Sequence, residues 1–169
     1  MAWIKATALL IFGVTWQSAA VAQELPTLLS DFVSGSDRTK RELILLNVTE
    51  HHPEAGPALL KIAMETKDTE TRWLAIRGIG WLKYKEAAPF LKESLRSTSN
   101  YVRANSARAL GEMHELSAVP ALIHTRNVDE DNGVLEQTSM ALQMLDAKEA
   151  VPVLKAKSTN PSHTRLRPT

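Results

Sequence analysis

Four prolines constrain this chain more than any other feature: Pro57, Pro89, Pro120 and Pro152 follow one another at intervals of 32, 31 and 32 residues. The residues just before them are small or aliphatic: Ala55-Gly56, Ala87-Ala88, Ala118-Val119 and Ala150-Val151. Proline suits the first turn of a helix, where its missing amide donor is not needed. A repeat of this length with helix starts at a fixed phase predicts stacked helical hairpins. Such a hairpin has apolar faces on both sides and buries them only against its neighbours, so stability is a sum of repeats and interfaces.

The stretch from Tyr101 to Arg126 is the clearest unit. Val102, Ser106, Ala107, Leu110 and Met113 fall at the three- and four-residue spacings of one helical face, which predicts a first helix, A. A turn at 114–117 leads to Ala118-Val119-Pro120, the opening of a second helix, B, that carries Leu122 and Ile123. Ser106, Ala107 and Ala109 are small enough to let helix B approach closely across the hairpin.

The same grammar extends both ways. Residues 72–82 read as a helix A, 83–86 as a turn, and Ala87-Ala88-Pro89 as the start of a helix B with Phe90, Leu91 and Leu95. An Asp- and Asn-rich loop over 127–133 precedes a helix A over 134–145 and a last helix B from Ala150. Upstream, 38–49 reads as a helix A capped by Ser36 or Asp37, followed by a helix B with Leu59, Leu60, Ile62 and Ala63. The apolar stretch 25–33 predicts a short N-terminal capping helix, and the proline-containing end from Ser158 a disordered tail.

Aligned on the prolines, Arg72 matches Arg103, Gly80 matches Gly111, and Leu82 matches Met113 and Leu145. With Val102-Arg103, Ala109-Leu110-Gly111 and Ala118-Val119-Pro120-Ala121-Leu122, the chain resembles the HEAT-like repeat family, in the short variety first associated with bilin lyases of light-harvesting antennae. The resemblance covers about residues 38–157. It implies an all-α fold, an α-solenoid of about four hairpins. It fixes no function, because scaffolds and enzymes share the family.

Before the repeats, Lys5, an apolar run over 6–16 and Ala20-Val21-Ala22 form the pattern of a secretory signal, with cleavage expected after Ala22. The run is too short for a membrane-spanning helix, which needs about 20 residues. The expected organisation is therefore a signal peptide at 1–22, a capping segment at 23–36, a repeat domain at 37–157 and a tail at 158–169. The expected location is periplasmic or secreted, with no integral span after cleavage. Cleavage removes one lysine of the 20 basic residues and leaves 19 against 19 acidic, so no net field draws in nucleic acid. The chain has no cysteine, which excludes a disulfide framework.

Two surfaces are candidate partner sites. Trp73, Arg77 and Trp81 lie at four-residue steps on one helix, with a guanidinium between two indoles, on a face that carries Arg108, Glu112 and Glu136 in the other repeats. That face is expected to be outer, with the tryptophans as exposed anchors. The B helices supply the second surface: Leu60, Lys92, Ile123 and Lys155 form one column, and Lys61, Glu93 and His124 the next. Mixed charge and aliphatic carbon there suit a protein or peptide ligand. Arg72 and Arg103 begin helices and are expected in inter-repeat ion pairs, and Arg126 is expected to turn its charge toward Asp129 or Glu130.

No cofactor or metal is expected. His51 and His114 stand two hairpins apart, roughly 20 Å at about 10 Å per packed layer, and ligands to one ion lie about 2 Å from it. Deoxyhypusine hydroxylase, an enzyme of the repeat family, holds two irons through four His-Glu pairs; here His114-Glu115 is the single such pair, and the matching turns read His51-His52, Lys83-Tyr84 and Asp146-Ala147. A bilin lyase works inside a photosynthetic cell, which a signal peptide opposes. The expectation is an exported, non-enzymatic module for protein binding or scaffolding in the cell envelope. The alternative is an enzyme or enzyme accessory acting on a small molecule in the periplasm, through His114 and Glu115. Self-association through an end repeat is a further possibility.

Overall fold

The computed structural model describes residues 24–146. The expected signal segment, Lys155, and the expected last helix B and tail lie outside them. Among the described residues there are eight α-helices and no strand, as the all-α reading requires. They fall into two compact units that divide between His52 and Pro53, within the 37–157 stretch.

The first unit holds α1 (Leu25–Ser34) and α2 (Arg38–His51), which pack on each other. Leu28 and Phe32 of α1 and Leu45 and Val48 of α2 are its buried apolar residues. Asp37 caps α2, its carboxylate accepting from the Thr39 amide at 2.8 Å and the Lys40 amide at 3.3 Å.

The second unit contains α3 (Gly56–Glu65), α4 (Thr69–Trp81), α5 (Ala88–Ser94), α6 (Asn100–Glu112), α7 (Val119–Val128) and α8 (Asn132–Met144). Pro57, Pro89 and Pro120 each occupy the first turn of a helix B, and a single 3-10 turn precedes each helix. The alanines of those turns, Ala55, Ala87 and Ala118, are fully buried, which is why the position stays small. The 127–133 loop is shorter than its composition predicts. Asn127 and Val128 finish α7, and Asp131 starts α8 by accepting from the Val134 amide at 3.0 Å.

Each helix A of the second unit ends the same way, whereas α2 of the first ends at His51 with His52 at a φ of −127°. Lys83, His114 and Asp146 adopt positive φ values of 51°, 52° and 46°. Behind them the Tyr84 amide donates to Ile79 O at 3.2 Å, and the Glu115 amide to Leu110 O at 3.1 Å. This is the left-handed reversal that satisfies the last carbonyls of a helix, and it turns the chain into helix B.

The A helices α4, α6 and α8 stack directly, while α3, α5 and α7 pack mainly on the helix A that follows each of them. The stack is close because glycine faces alanine at both of its interfaces. A methyl group on Gly80 would stand 2.9 Å from Ala109 Cα, and one on Gly111 2.7 Å from Ala141 Cα. Ala109 therefore serves the contact between neighbouring A helices, and not the approach to helix B expected from the sequence. Around it Leu74, Ile79, Leu110, Leu122 and Leu142 form the core. Ser106 of α6 is fully buried, but its Oγ has no hydrogen-bond partner and does not make the return bond to its own helix that a serine can make.

In an ordinary helix interior, alanine is about 0.8–1.0 kcal/mol better than glycine. At Gly111 the sign reverses, because the new methyl group meets backbone that cannot swing away. Gly111→Ala is expected to destabilise the fold by about 1–3 kcal/mol in urea unfolding, the usual cost of overpacking.

Candidate functional site

A groove of about 970 Å³ opens between α5 and α7. Leu95, Pro120 and Val128 give it apolar lining, Lys92, Arg96 and His124 give it cationic and imidazole groups, and the loop over 129–131 closes one end. A second hollow of about 350 Å³ lies between α3 and α5, lined by Met64, Phe90 and Arg72 among others. Arg96 and Ser97 belong to both, so they form the ridge between them. The B helices are thus where the second unit leaves concave surface, and Lys92 and His124 line the larger groove while Glu93 lines the smaller. Lys61 is exposed on α3, and Leu60 and Ile123 are half-buried.

The end wall of the groove is built by one arginine. Arg103 Nε and Nη2 donate to the two carboxylate oxygens of Asp129 at 2.7 and 3.0 Å, and Nη1 donates to the carbonyls of Ser97 at 2.9 Å and Thr98 at 3.3 Å. A single side chain therefore ties the loop before α6 to the loop after α7, the inter-repeat pairing expected of it. Burial pushes the Asp129 carboxyl up, but the hydrogen bonds from Arg103 and the Asp131 amide and the nearby guanidinium charge outweigh it, and the group sits below its ordinary value. Hydrogen bonding to Asp129 in turn holds the Arg103 proton more firmly. Asp131 is lowered as well, first by the Asn100 side chain, which donates to it at 2.7 Å.

Arg72 departs from the inter-repeat ion pair expected of it. Its guanidinium donates to Ala63 O at 3.1 Å and to Thr66 O, at the C-terminal end of α3. A cation is favoured there by the exposed carbonyls. Asp68 is instead the cap of α4, accepting from the Thr71 amide at 2.9 Å. Arg126 also departs from expectation. It turns inward and donates from Nε to Ser139 Oγ at 2.7 Å, and burial lowers its pKa.

The tryptophan face needs correction. Trp73 is 6% exposed, and its ring stacks on Tyr101 of the next repeat with centroids 6.1 Å apart. The four-residue step placed it on the outward face of α4, but the start of α6 covers that end. Tyr101, which the sequence did not single out, is 60% exposed and forms the outer surface there. Arg77 does sit over Trp81, 4.7 Å from the ring centroid, and Trp81 is half-buried. On α6 the same face carries an Arg108–Glu112 pair at 2.7 Å.

His114 is exposed and serves the helix reversal. Glu115 accepts from the Ser117 hydroxyl and amide and caps the following turn, and the hydroxyl bond is the chief reason that its carboxyl is lowered. Lys92 Nζ reaches the same Ser117 Oγ at 3.1 Å, linking α5 to the next turn. Among the described residues no three His, Asp or Glu side chains converge on a point that could hold a metal ion. No described helix is long and apolar enough to cross a membrane.

The Arg103–Asp129 pair gives a pH test. Asp129 has a lower pKa folded than unfolded, so its contribution is fully present above the unfolded value of about 3.9. It is lost as pH falls through the folded value. Asp129→Asn is expected to cost about 2 kcal/mol near pH 7, the scale of hydrogen bonds to a charged group. The gap from the unsubstituted protein should narrow as pH falls below the unfolded value and close once pH has fallen through the folded value, as the native carboxyl takes up its proton.

Comparison with known proteins follows the same lines. Curated protein sequences give no match. Among solved structures, the complex of CpcE and CpcF of phycocyanin lyase from Nostoc is similar, with a TM-score of 0.65 and 23% identity over 83% of this chain. The likeness spans 60% of the matched chain, less than two thirds of it, and at this identity it concerns the fold. It nevertheless overturns the expectation of a non-enzyme. A phycocyanin lyase is built on this architecture, so a helical-repeat fold without a compact catalytic cluster is no ground for placing the chain outside the enzymes. A family model for HEAT repeats matches residues 25–102 and 93–167. The chain belongs to the HEAT repeat family.

Proposed function

We propose that the chain is an exported helical-repeat module whose B-helix face holds a segment of a partner protein, either in a free complex or as a subunit of an enzyme assembly. The observation that carries this reading is the pair of adjoining hollows between successive B helices, with cationic, acidic and exposed apolar side chains around one ridge. Repeat stacks use such extended surfaces for recognition. The similar CpcE–CpcF structure, itself a complex of two chains, supports binding as the shared theme. Export rests on the basic, apolar and small-residue pattern of residues 1–22.

A photoreactive residue placed in the envelope-located protein tests the face. Positions 93 and 124, on the B side, should each give a discrete higher-mass adduct on illumination, and exposed position 136 on α8 should not. An adduct at twice the chain's own mass would assign the face to self-association. Adducts from position 136 with none from 93 or 124 would refute the reading.

A further inference from the structure

Six residues past Pro57, Pro89 and Pro120 the B helices carry Ala63, Leu95 and Arg126. The first two are apolar and buried. Arg126 meets Ser139 of α8, and in the same repeat alignment Ser139 stands where α4 has Ile76 and α6 has Ala107, both fully buried. The last described repeat therefore holds a polar pair at positions that are apolar in the two before it.

The hydrogen bonds of this pair close on one side and stay open on the other. Arg126 Nε donates to Ser139 Oγ at 2.7 Å, and the Ser139 hydroxyl donates in turn to Leu135 O at 2.6 Å. Arg126 Nη1 is buried and has no hydrogen-bond partner among the described residues. Two other arginines of the stack are satisfied: Arg72 by Ala63 O and Thr66 O, and Arg103 by Asp129 and the carbonyls of Ser97 and Thr98. The acids closest to Arg126 in sequence are engaged or turned to solvent, since Asp129 receives Arg103, Asp131 receives Asn100, and Glu130 is exposed. Burial alone moves the Arg126 pKa, downward, with no acid to hold its proton.

Taking a guanidinium partly out of water without a counter-charge is costly, because its lost hydration is not recovered. Leucine fills the matching position of α5 without that cost. The Arg126 side chain is half-buried and keeps contact with solvent. With Nε committed to Ser139, the edge formed by Nη1 and Nη2 remains, and its two parallel N–H groups match the two oxygens of a carboxylate. One such acid balances the single cation. Arg126 lines neither hollow between the B helices, so this site is independent of the B-face reading.

We propose that Arg126 and Ser139 form a carboxylate-binding site at the contact of α7 and α8, in which the acid accepts from Nη1 and Nη2 while Ser139 holds the guanidinium by Nε.

Heteronuclear NMR on the isotope-labelled full chain reads the site directly. The Arg126 Nε–H signal, assigned by its absence in Arg126→Lys, should shift saturably as sodium acetate replaces sodium chloride at constant ionic strength. The Arg103 Nε–H signal, held by Asp129, should stay in place. In urea, acetate should raise the unfolding midpoint of the unsubstituted protein relative to chloride, and it should not raise that of Arg126→Leu/Ser139→Ala, which carries the residues found at 95 and 107. N-acetylglutamate amide separates two sources of the acid: a response matching that to acetate assigns the site to an acidic side chain of a partner, and a response to acetate alone assigns it to a small free acid. An Arg126 signal that neither acid moves, equal shifts at Arg126 and Arg103, or an acetate effect on the midpoint that survives in the double variant would overturn the proposal.

Discussion

The contact between successive A helices, glycine against alanine backbone, is the constraint on which the second unit depends. At Gly80 and Gly111 there is no room for even one methyl group beside Ala109 and Ala141. Drawing α4, α6 and α8 so close makes them the continuous layer of the stack. The B helices pack on the following helix A and leave hollows between themselves. The concave surface of the second unit therefore lies on the side away from the small residues.

Polar groups at the helix ends fix the geometry of those gaps. Asp68 and Asp131 cap A helices of the second unit, Arg72 ties the start of α4 to the end of α3, and Arg103 ties the loop before α6 to Asp129 after α7. Since the Arg103–Asp129 pair forms one end of the larger groove and is mostly screened from water, with 18% and 8% of the two side chains exposed, it sets groove shape as much as stability. Charges consumed in this way are lost to a ligand. Those on the exposed ridge, Arg96 foremost, remain exchangeable.

Much of this was legible in the chain because it is periodic. The prolines gave the phase of every helix B among the described residues, and the alignment of Gly80 with Gly111 marked the close interface without saying which helix would face it. The N-cap positions Asp37, Asp68, Ser99 and Asp131 are equally readable, at intervals of 31, 31 and 32 residues, although Ser99 makes no side-chain cap bond. Failures arose where a side chain depends on a neighbour at long sequence distance. Trp73 looks outward on its own helix, yet it is buried and its ring stacks on Tyr101 of the next repeat. Arg126 stands near two acids in sequence, yet its partner is Ser139 on the next helix. The hollows themselves could not be read from a single helix, since each needs two B helices and the loops between them.

The most direct measurement is a double-mutant cycle across the A-helix contact, with Gly80→Ala, Ala109→Gly and the pair compared by chemical unfolding. If the two backbones touch as described, the methyl added at position 80 is partly accommodated when the one at 109 is removed, and the pair should be more stable than the sum of the singles by at least about 0.5 kcal/mol. Strict additivity would mean that these helices are not in contact, and a stack built on glycine facing alanine would be contradicted.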